Sequence, residues 1–201
     1  MPLDAASFDA FMKLLEPTAE RNEVECARFL DGATLRLFPE SPKAELTVSF
    51  EERMHFGRSD YLVVGDFISN LGKPERRVYF WEVKAAQCFL ARRDDANSRV
   101  RPTTDLIKAE TQLIHYAYEA RGSQAFLRKY GVISENVRMG GIIIGRDDRI
   151  WDPVSDINPL DAELSFNLRV EQVYDRMNLS IITWDRIADV LRPHRETGGD
   201  F

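Results

Sequence analysis

The sequence is poor in the residues that most simple functional classes require. Its two cysteines, Cys26 and Cys88, have no metal-ligand spacing and cannot build a disulfide framework, which fits a reducing compartment and two ordinary buried thiols. The three histidines, His55, His115 and His194, are scattered. No serine or cysteine has a neighbouring base motif of the acyl-transfer kind. The glycines of 139–146 (MGGIIIGR) fit neither the dinucleotide fingerprint nor the phosphate-binding loop and are expected at the ends of a buried strand. No window approaches the roughly 18 apolar residues of a membrane span, and 1–11 lacks the basic start and apolar run of an export signal. A cytoplasmic protein without membrane contact is expected. The net charge of −6 excludes a global attraction to phosphates, so a nucleic-acid partner would need a local basic patch.

Enough is present for one full core: 201 residues, of which 44% are hydrophobic. In 5–15, Phe8, Phe11, Met12 and Leu15 fall at helical spacing before Pro17, which predicts a short packing helix. Thr18 is the expected cap of a second helix over 19–30, closed by Asp31-Gly32 and carrying Glu20, Glu23 and Glu25. From Thr34 the pattern alternates: TLRLF, LTVSF, DYLVVGDF and RVYFWEVKA predict hairpin-connected strands, with Lys73-Pro74 at a turn. The stretch 103–120 is strongly helical, and Gly122 follows its end. Further on, 124–130 extends the helical layer, 139–145 and 179–183 are strands, and 161–177 and 185–191 are helices. This order predicts a mainly antiparallel group of strands within a sheet held between helical layers.

The chemistry concentrates on two neighbouring strands. Asp60 opens one; Glu82 and Lys84 sit two apart near the end of the next, so that their side chains share a face. The flanking residues of 80–85 (FWEVKA) are mostly apolar, and a carboxylate and an ammonium there must be compensated. Two carboxylates from adjacent strands form a hard oxygen site for Mg²⁺ or Mn²⁺, with the Val83 carbonyl as a further ligand. Such an ion acidifies water and polarises a phosphoryl group, while Lys84 orients the nucleophile and stabilises developing charge. An ExK tripeptide is common by chance, and a structural ion pair of Glu82 with Lys84 or Lys108 is the competing account.

On the following helix, Lys108, Gln112 and Tyr116 recur every four residues along one face, as donors to phosphate oxygens or as ordinary surface polarity. Between strand and helix, Arg92, Arg93, Arg99 and Arg101 alternate with Asp94, Asp95 and Asn97. A flexible loop over the site is expected there, binding backbone phosphates or closing on its own ion pairs.

The run SDYLVV, a hairpin, FWEVKAA and a helix with Gln112 and Tyr116 resembles the PD-(D/E)xK nuclease superfamily. Over residues 18–192, EVECARFL, GIIIGR, FNLRVE and SIITWDRI are similar in order and character to the Shedu antiphage nuclease domain. The resemblance implies a restriction endonuclease-like α/β/α sandwich with a mixed central sheet flanked by helices. It also implies metal-dependent hydrolysis of DNA in bacterial defence against phage. Asp60 and Glu82 would be metal ligands, Lys84 the catalytic lysine, Gln112 an active-site helper and Glu23 the acid of the first core helix, with Glu20 and Glu25 as competitors. Ser59 stands where the superfamily has its proline, and Ala85-Ala86 where Shedu-like chains often have Arg and Pro. The expected organisation is a helical extension over 1–17, the nuclease-like domain over 18–192 and a tail over 193–201. Shedu proteins commonly carry a larger N-terminal region, so control here is expected from a regulatory protein partner or from homo-oligomerisation. The alternative function is a noncatalytic nucleic-acid-binding or sensor module acting through a partner.

Overall fold

The computed structural model describes residues 2–17, 20–34, 37, 47–54, 57–69, 71–94, 99–153 and 158–193, with the backbone alone over 48–54. Its centre is a five-stranded mixed sheet in the order β1-β2-β3-β6-β7. Strands β1 (Thr47–Met54), β2 (Gly57–Ile68) and β3 (Pro74–Val83) pair antiparallel through short connections. Strands β6 (Val137–Ile143) and β7 (Ser180–Ile182) continue from β3 in parallel. The expected group of antiparallel strands is therefore only half of the sheet. Each parallel step is crossed by a helical connection, which that geometry demands.

Side-chain alternation divides the core between two layers. Leu62, Val64, Val78 and Phe80 face helix α4 (Thr104–Gly122), α5 (Gln124–Tyr130) and the long helical segment after it. That segment comprises α6 (Pro159–Arg169), a π turn (Val170–Tyr174) and α7 (Asp175–Met177). Tyr61, Val63, Phe67, Trp81 and Val83 face α1 (Ala5–Leu14), α2 (Glu23–Ala27), α3 (Leu30–Ala33) and α8 (Trp184–Leu191). Helices thus flank both faces of the sheet. The extension expected before residue 18 contributes Phe11 and Leu15 to this second layer, and Leu3 N–H bonds the carbonyl of Leu191 at 2.9 Å. Among the described residues no helix is long and apolar enough to cross a membrane.

The structure corrects three expectations. The single helix over 19–30 is two short pieces, α2 and α3, and α3 runs through Asp31-Gly32 rather than ending there. A tightened bond from Phe29 N–H to the Cys26 carbonyl makes the break. The arginine segment is no loop but a hairpin, β4 (Ala91–Asp94) against β5 (Arg99–Pro102). Finally, Thr34 caps α3, while most of the expected TLRLF strand, with the Thr18 cap, lies outside the described residues. At the β3–β6 seam the register shifts between Phe80 and Trp81, leaving Gly140 in a bulge. A Cβ there would stand 2.2 Å from the Trp81 indole nitrogen, so the close approach requires glycine.

Candidate active site

Pairing register brings the expected triad together. Tyr61 lies opposite Trp81, so Asp60 falls one step further along β2, beside Glu82 on β3. Both share the parity of Leu62 and Phe80 and so belong to the α4-facing side. Lys84 follows the last residue of β3 and reaches back, its Nζ donating to Glu82 Oε1 at 2.7 Å. The same Nζ lies 3.8 Å from Asp60 Oδ2 and 3.9 Å from Glu23 Oε1. Glu23, in the first turn of α2, is half-buried within reach of Lys84, while Glu20 and Glu25 are exposed. Asp60 Oδ2 also accepts the backbone N–H of Val83 at 2.9 Å, which locks the strand ends together.

Electrostatically the cluster is unbalanced. Glu82 has no solvent exposure; among the described residues no N–H donor reaches its Oε2, and its carboxyl lies against that of Asp60. Burial, then the neighbouring Asp60 charge, push its carboxyl up to about 8, against the pull of Lys84. Burial likewise raises Glu23, with Lys84 opposing. Burial works to discharge Lys84, but Glu82, Asp60 and Glu23 outweigh it and hold the ammonium above its usual range. Lys84 is therefore a permanent cation and donor at neutral pH, not a base. Among the described residues no three His, Cys, Asp or Glu side chains are grouped closely enough to cage an ion. The carboxylates instead surround Lys84.

The backbone after Lys84 is pinned from three sides. Lys84 N–H donates to the Ile143 carbonyl at 2.8 Å, and its own carbonyl accepts the Trp184 indole N–H at 2.7 Å. Gln87 Nε2 donates to the carbonyls of Leu14 and Glu16 at 2.9 and 2.8 Å, and an Arg149 Nη donates to Ala86 O at 3.3 Å. Trp184 and Gln87 are supports that sequence reasoning missed. The available signal was that a buried indole N–H needs an acceptor.

On α4 the polar stripe is graded in depth: Lys108 exposed, Gln112 half-buried, Tyr116 buried. Tyr116 OH donates to the Arg58 carbonyl at 2.9 Å, and Gln112 Nε2 lies 3.4 Å from that hydroxyl. The stripe is thereby tied to β2 just before Asp60. Gly57, at φ +142°, leaves room there, since a Cβ would sit 3.2 Å from the Tyr116 hydroxyl. Ser59, just before Asp60 on β2, is buried.

The hairpin carrying the arginines packs against α6 rather than lying as a flexible loop over the triad. Arg92 stands opposite Arg101, Arg93 opposite Val100, and Arg99 opposite Asp94. The first three of the arginines named in chain order differ in depth: Arg92 and Arg93 are half-buried and Arg99 is exposed, while Arg101 is half-buried. Asp95 and Asn97 lie outside the described residues, as do His55 and His194; His115 is exposed on α4. Cys26 and Cys88 are buried free thiols. Compared with protein-family models, with curated proteins and with solved structures, the chain has no match in any of the three.

Proposed function

We propose that the chain is a metal-dependent nuclease of the PD-(D/E)xK type with a restriction endonuclease-like fold. In this reading it hydrolyses DNA phosphodiesters in antiphage defence, as its resemblance to the Shedu domain implies. The observation that carries the reading is the convergence of Asp60, Glu82 and Lys84 at adjacent strand ends, with Glu82 fully buried against the Asp60 carboxyl. Burial and Asp60 keep a proton on Glu82 at neutral pH, and a bound cation would take that proton's place between the two carboxylates. Asp60 and Glu82, with the Val83 carbonyl, would hold Mg²⁺ or Mn²⁺, a hard ion that takes few protein ligands and keeps waters and phosphate oxygens. When bound, the ion would supply Lewis acidity to the scissile phosphate.

The chain's own residues do the rest. Lys84, held charged by three carboxylates, presents its ammonium to a non-bridging phosphate oxygen and stabilises the charge that grows there. Glu23 and Asp60 fix the position of that ammonium. Gln112 lines the α4 side, where its half-buried amide can donate to substrate oxygens, while the Tyr116 hydroxyl, donated to Arg58 O, steadies it. The arginine hairpin and Lys108 would track the backbone of DNA, giving salt-dependent binding without base readout.

The direct Lys84–Glu82 ion pair at 2.7 Å favours a second reading, a noncatalytic nucleic-acid-binding or sensor module in which Lys84 replaces the cation. One experiment separates the two. Plasmid and linear duplex DNA are incubated with the purified chain in Mg²⁺, Mn²⁺ or EDTA, beside a folded Lys84→Ala variant. Cutting that needs the ion and disappears in the variant is the expected result. DNA binding unaffected by metal, with no turnover, would establish the second reading instead.

A further inference from the structure

Along the start of β6, before the stretch that pairs with β7, the molecule holds a cleft of about 540 Å³ that no step of hydrolysis uses. Its walls come from the face of β3 turned away from α4, from the start of β6, from the last turn of α4 and from the α7–β7 connection. Arg77 and Tyr79 have the parity of Trp81, which faces away from α4, and Arg77 lies five positions before Glu82, roughly 17 Å along an extended strand. The cleft and the triad are therefore separate sites.

The wall chemistry is basic in a chain whose net charge is −6: Arg77, Arg121 and Arg138 face a single carboxylate, Asp175. The three arginines are held differently. Arg77 is buried, its guanidinium engaged by Glu75 at 3.0 Å and set 5.8 Å over the Phe67 ring, so it contributes a fixed, largely compensated charge. Arg121 directs Nε and one Nη to the Val137 carbonyl at 3.1 and 2.9 Å, which orients the guanidinium and leaves its other Nη. Arg138 is exposed on β6 and has no ion-pair or hydrogen-bond partner among the described residues. Tyr79, half-buried, lies opposite Arg138 on the face turned away from α4 and sets an aromatic ring beside that exposed guanidinium, whereas Met139 lies opposite Phe80 on the α4 side.

A cleft of this volume is the size of small-molecule sites. Planar guanidinium forks recognise phosphate oxygens bidentately, and an aromatic side chain beside them accepts a flat ring by stacking. We infer that this cleft binds a small phosphate-bearing ligand with a planar ring, a mononucleotide in chemical class, with its phosphates on Arg121 and Arg138 and its ring against Tyr79. The inference is independent of nuclease activity, because the site shares no residue with the triad.

Isothermal titration of the full chain with ATP in EDTA, and with inorganic phosphate in parallel, tests it. The expected result is saturable ATP binding, weaker by tenfold or more in Arg138→Ala and unchanged in Lys84→Ala. Phosphate alone should bind at least tenfold more weakly than ATP. Arg138→Ala removes an exposed side chain, and an unchanged circular dichroism spectrum confirms folding. Absence of ATP saturation at millimolar concentration overturns the inference. So does binding that survives Arg138→Ala, binding of phosphate as tight as that of ATP, or displacement of ATP by a short single-stranded oligonucleotide that binds more tightly, which would make the cleft part of a nucleic-acid track.

Discussion

Helix α4 carries one shielded carboxylate and packs on the strand that carries another, and the fold treats the two in opposite ways. Glu110, on the helix, is fully answered: Arg169 reaches Oε1 at 2.9 Å and Oε2 at 2.7 Å, and Tyr174 donates a short hydrogen bond to Oε1. The π turn Val170–Tyr174 makes this possible, because its wider winding swings Tyr174 beneath Arg169, whose guanidinium sits 5.4 Å from that ring. Glu82, on the strand that faces the helix, takes one cation, Lys84, on Oε1 and is crowded by the Asp60 carboxyl, with no N–H donor to Oε2 among the described residues. A carboxylate whose acceptors are satisfied from two directions ties elements together. One that is desolvated and crowded by a second carboxylate subtracts from stability, and groups of that kind cluster at functional sites.

The largest effects should separate the two sites by assay. Glu82→Gln is expected to lower the DNA cleavage rate at least a hundredfold, about 3 kcal/mol of transition-state stabilisation, with little change in melting temperature. Glu110→Gln should do the reverse. Removing one partner of a shielded pair costs about 3–5 kcal/mol when burial is complete; Arg169 retains 30% exposure, so roughly 2 kcal/mol is expected, read by urea denaturation. The rate per folded molecule should hold. Equal loss of stability in both variants would mean that Glu82 is as structural as Glu110.

A smaller, graded effect follows from pH. The Glu82 carboxyl moves from 4.5 to about 8 on folding, so the folded state holds a proton that the unfolded chain has lost. Its contribution to stability is full below pH 4.5 and disappears as pH rises through about 8, a change on the order of a few kcal/mol. The raised Glu23 acts in the same sense. Asp185, lowered mainly by Arg146 against the effect of burial, loses its contribution only as pH falls below 3.8, and Lys84 loses its own only above 10.5. Between pH 5 and 9 in EDTA, stability should therefore decline, and Glu82→Gln should flatten the decline. A flat wild-type profile would show that Glu82 is solvated and the contrast with Glu110 is false.

How much of this was legible in the sequence depends on the range of the interaction. Asp60, Glu82 and Lys84 were readable because a hairpin fixes register locally; its turn closes between Ser69 and Lys73, with Pro74 already in β3 opposite Ile68 rather than in the turn as expected. The α4 stripe was readable from its four-residue spacing. The break between α2 and α3 was hidden, because Cys26, Leu30 and Ala33 keep helical spacing across it while the hydrogen bonding tightens. The arginine hairpin was hidden for the opposite reason. It has no apolar alternation of its own, and its place is set by packing on α6. The parallel half of the sheet was implied by the order strand, helix, strand, but register between strands so far apart in the chain carries no local mark. Arg77, Arg121 and Arg138 come from three elements, so no sequence window contains their cleft.

The smallest expected effect tests whether the α4 stripe belongs with Glu82 or with the scaffold. Tyr116→Phe keeps the ring packed near Phe80 but removes the hydroxyl that donates to Arg58 O and accepts from Gln112. One neutral hydrogen bond contributes about 1 kcal/mol, so a loss of that size in stability is expected, while cleavage changes no more than fivefold. Gln112→Ala should show the opposite balance, with stability nearly unchanged and cleavage reduced about tenfold, if its amide reaches substrate rather than serving only Tyr116. Identical profiles for the two variants would place Gln112 in the scaffold, leaving Asp60, Glu82 and Lys84 as the whole of the reactive cluster.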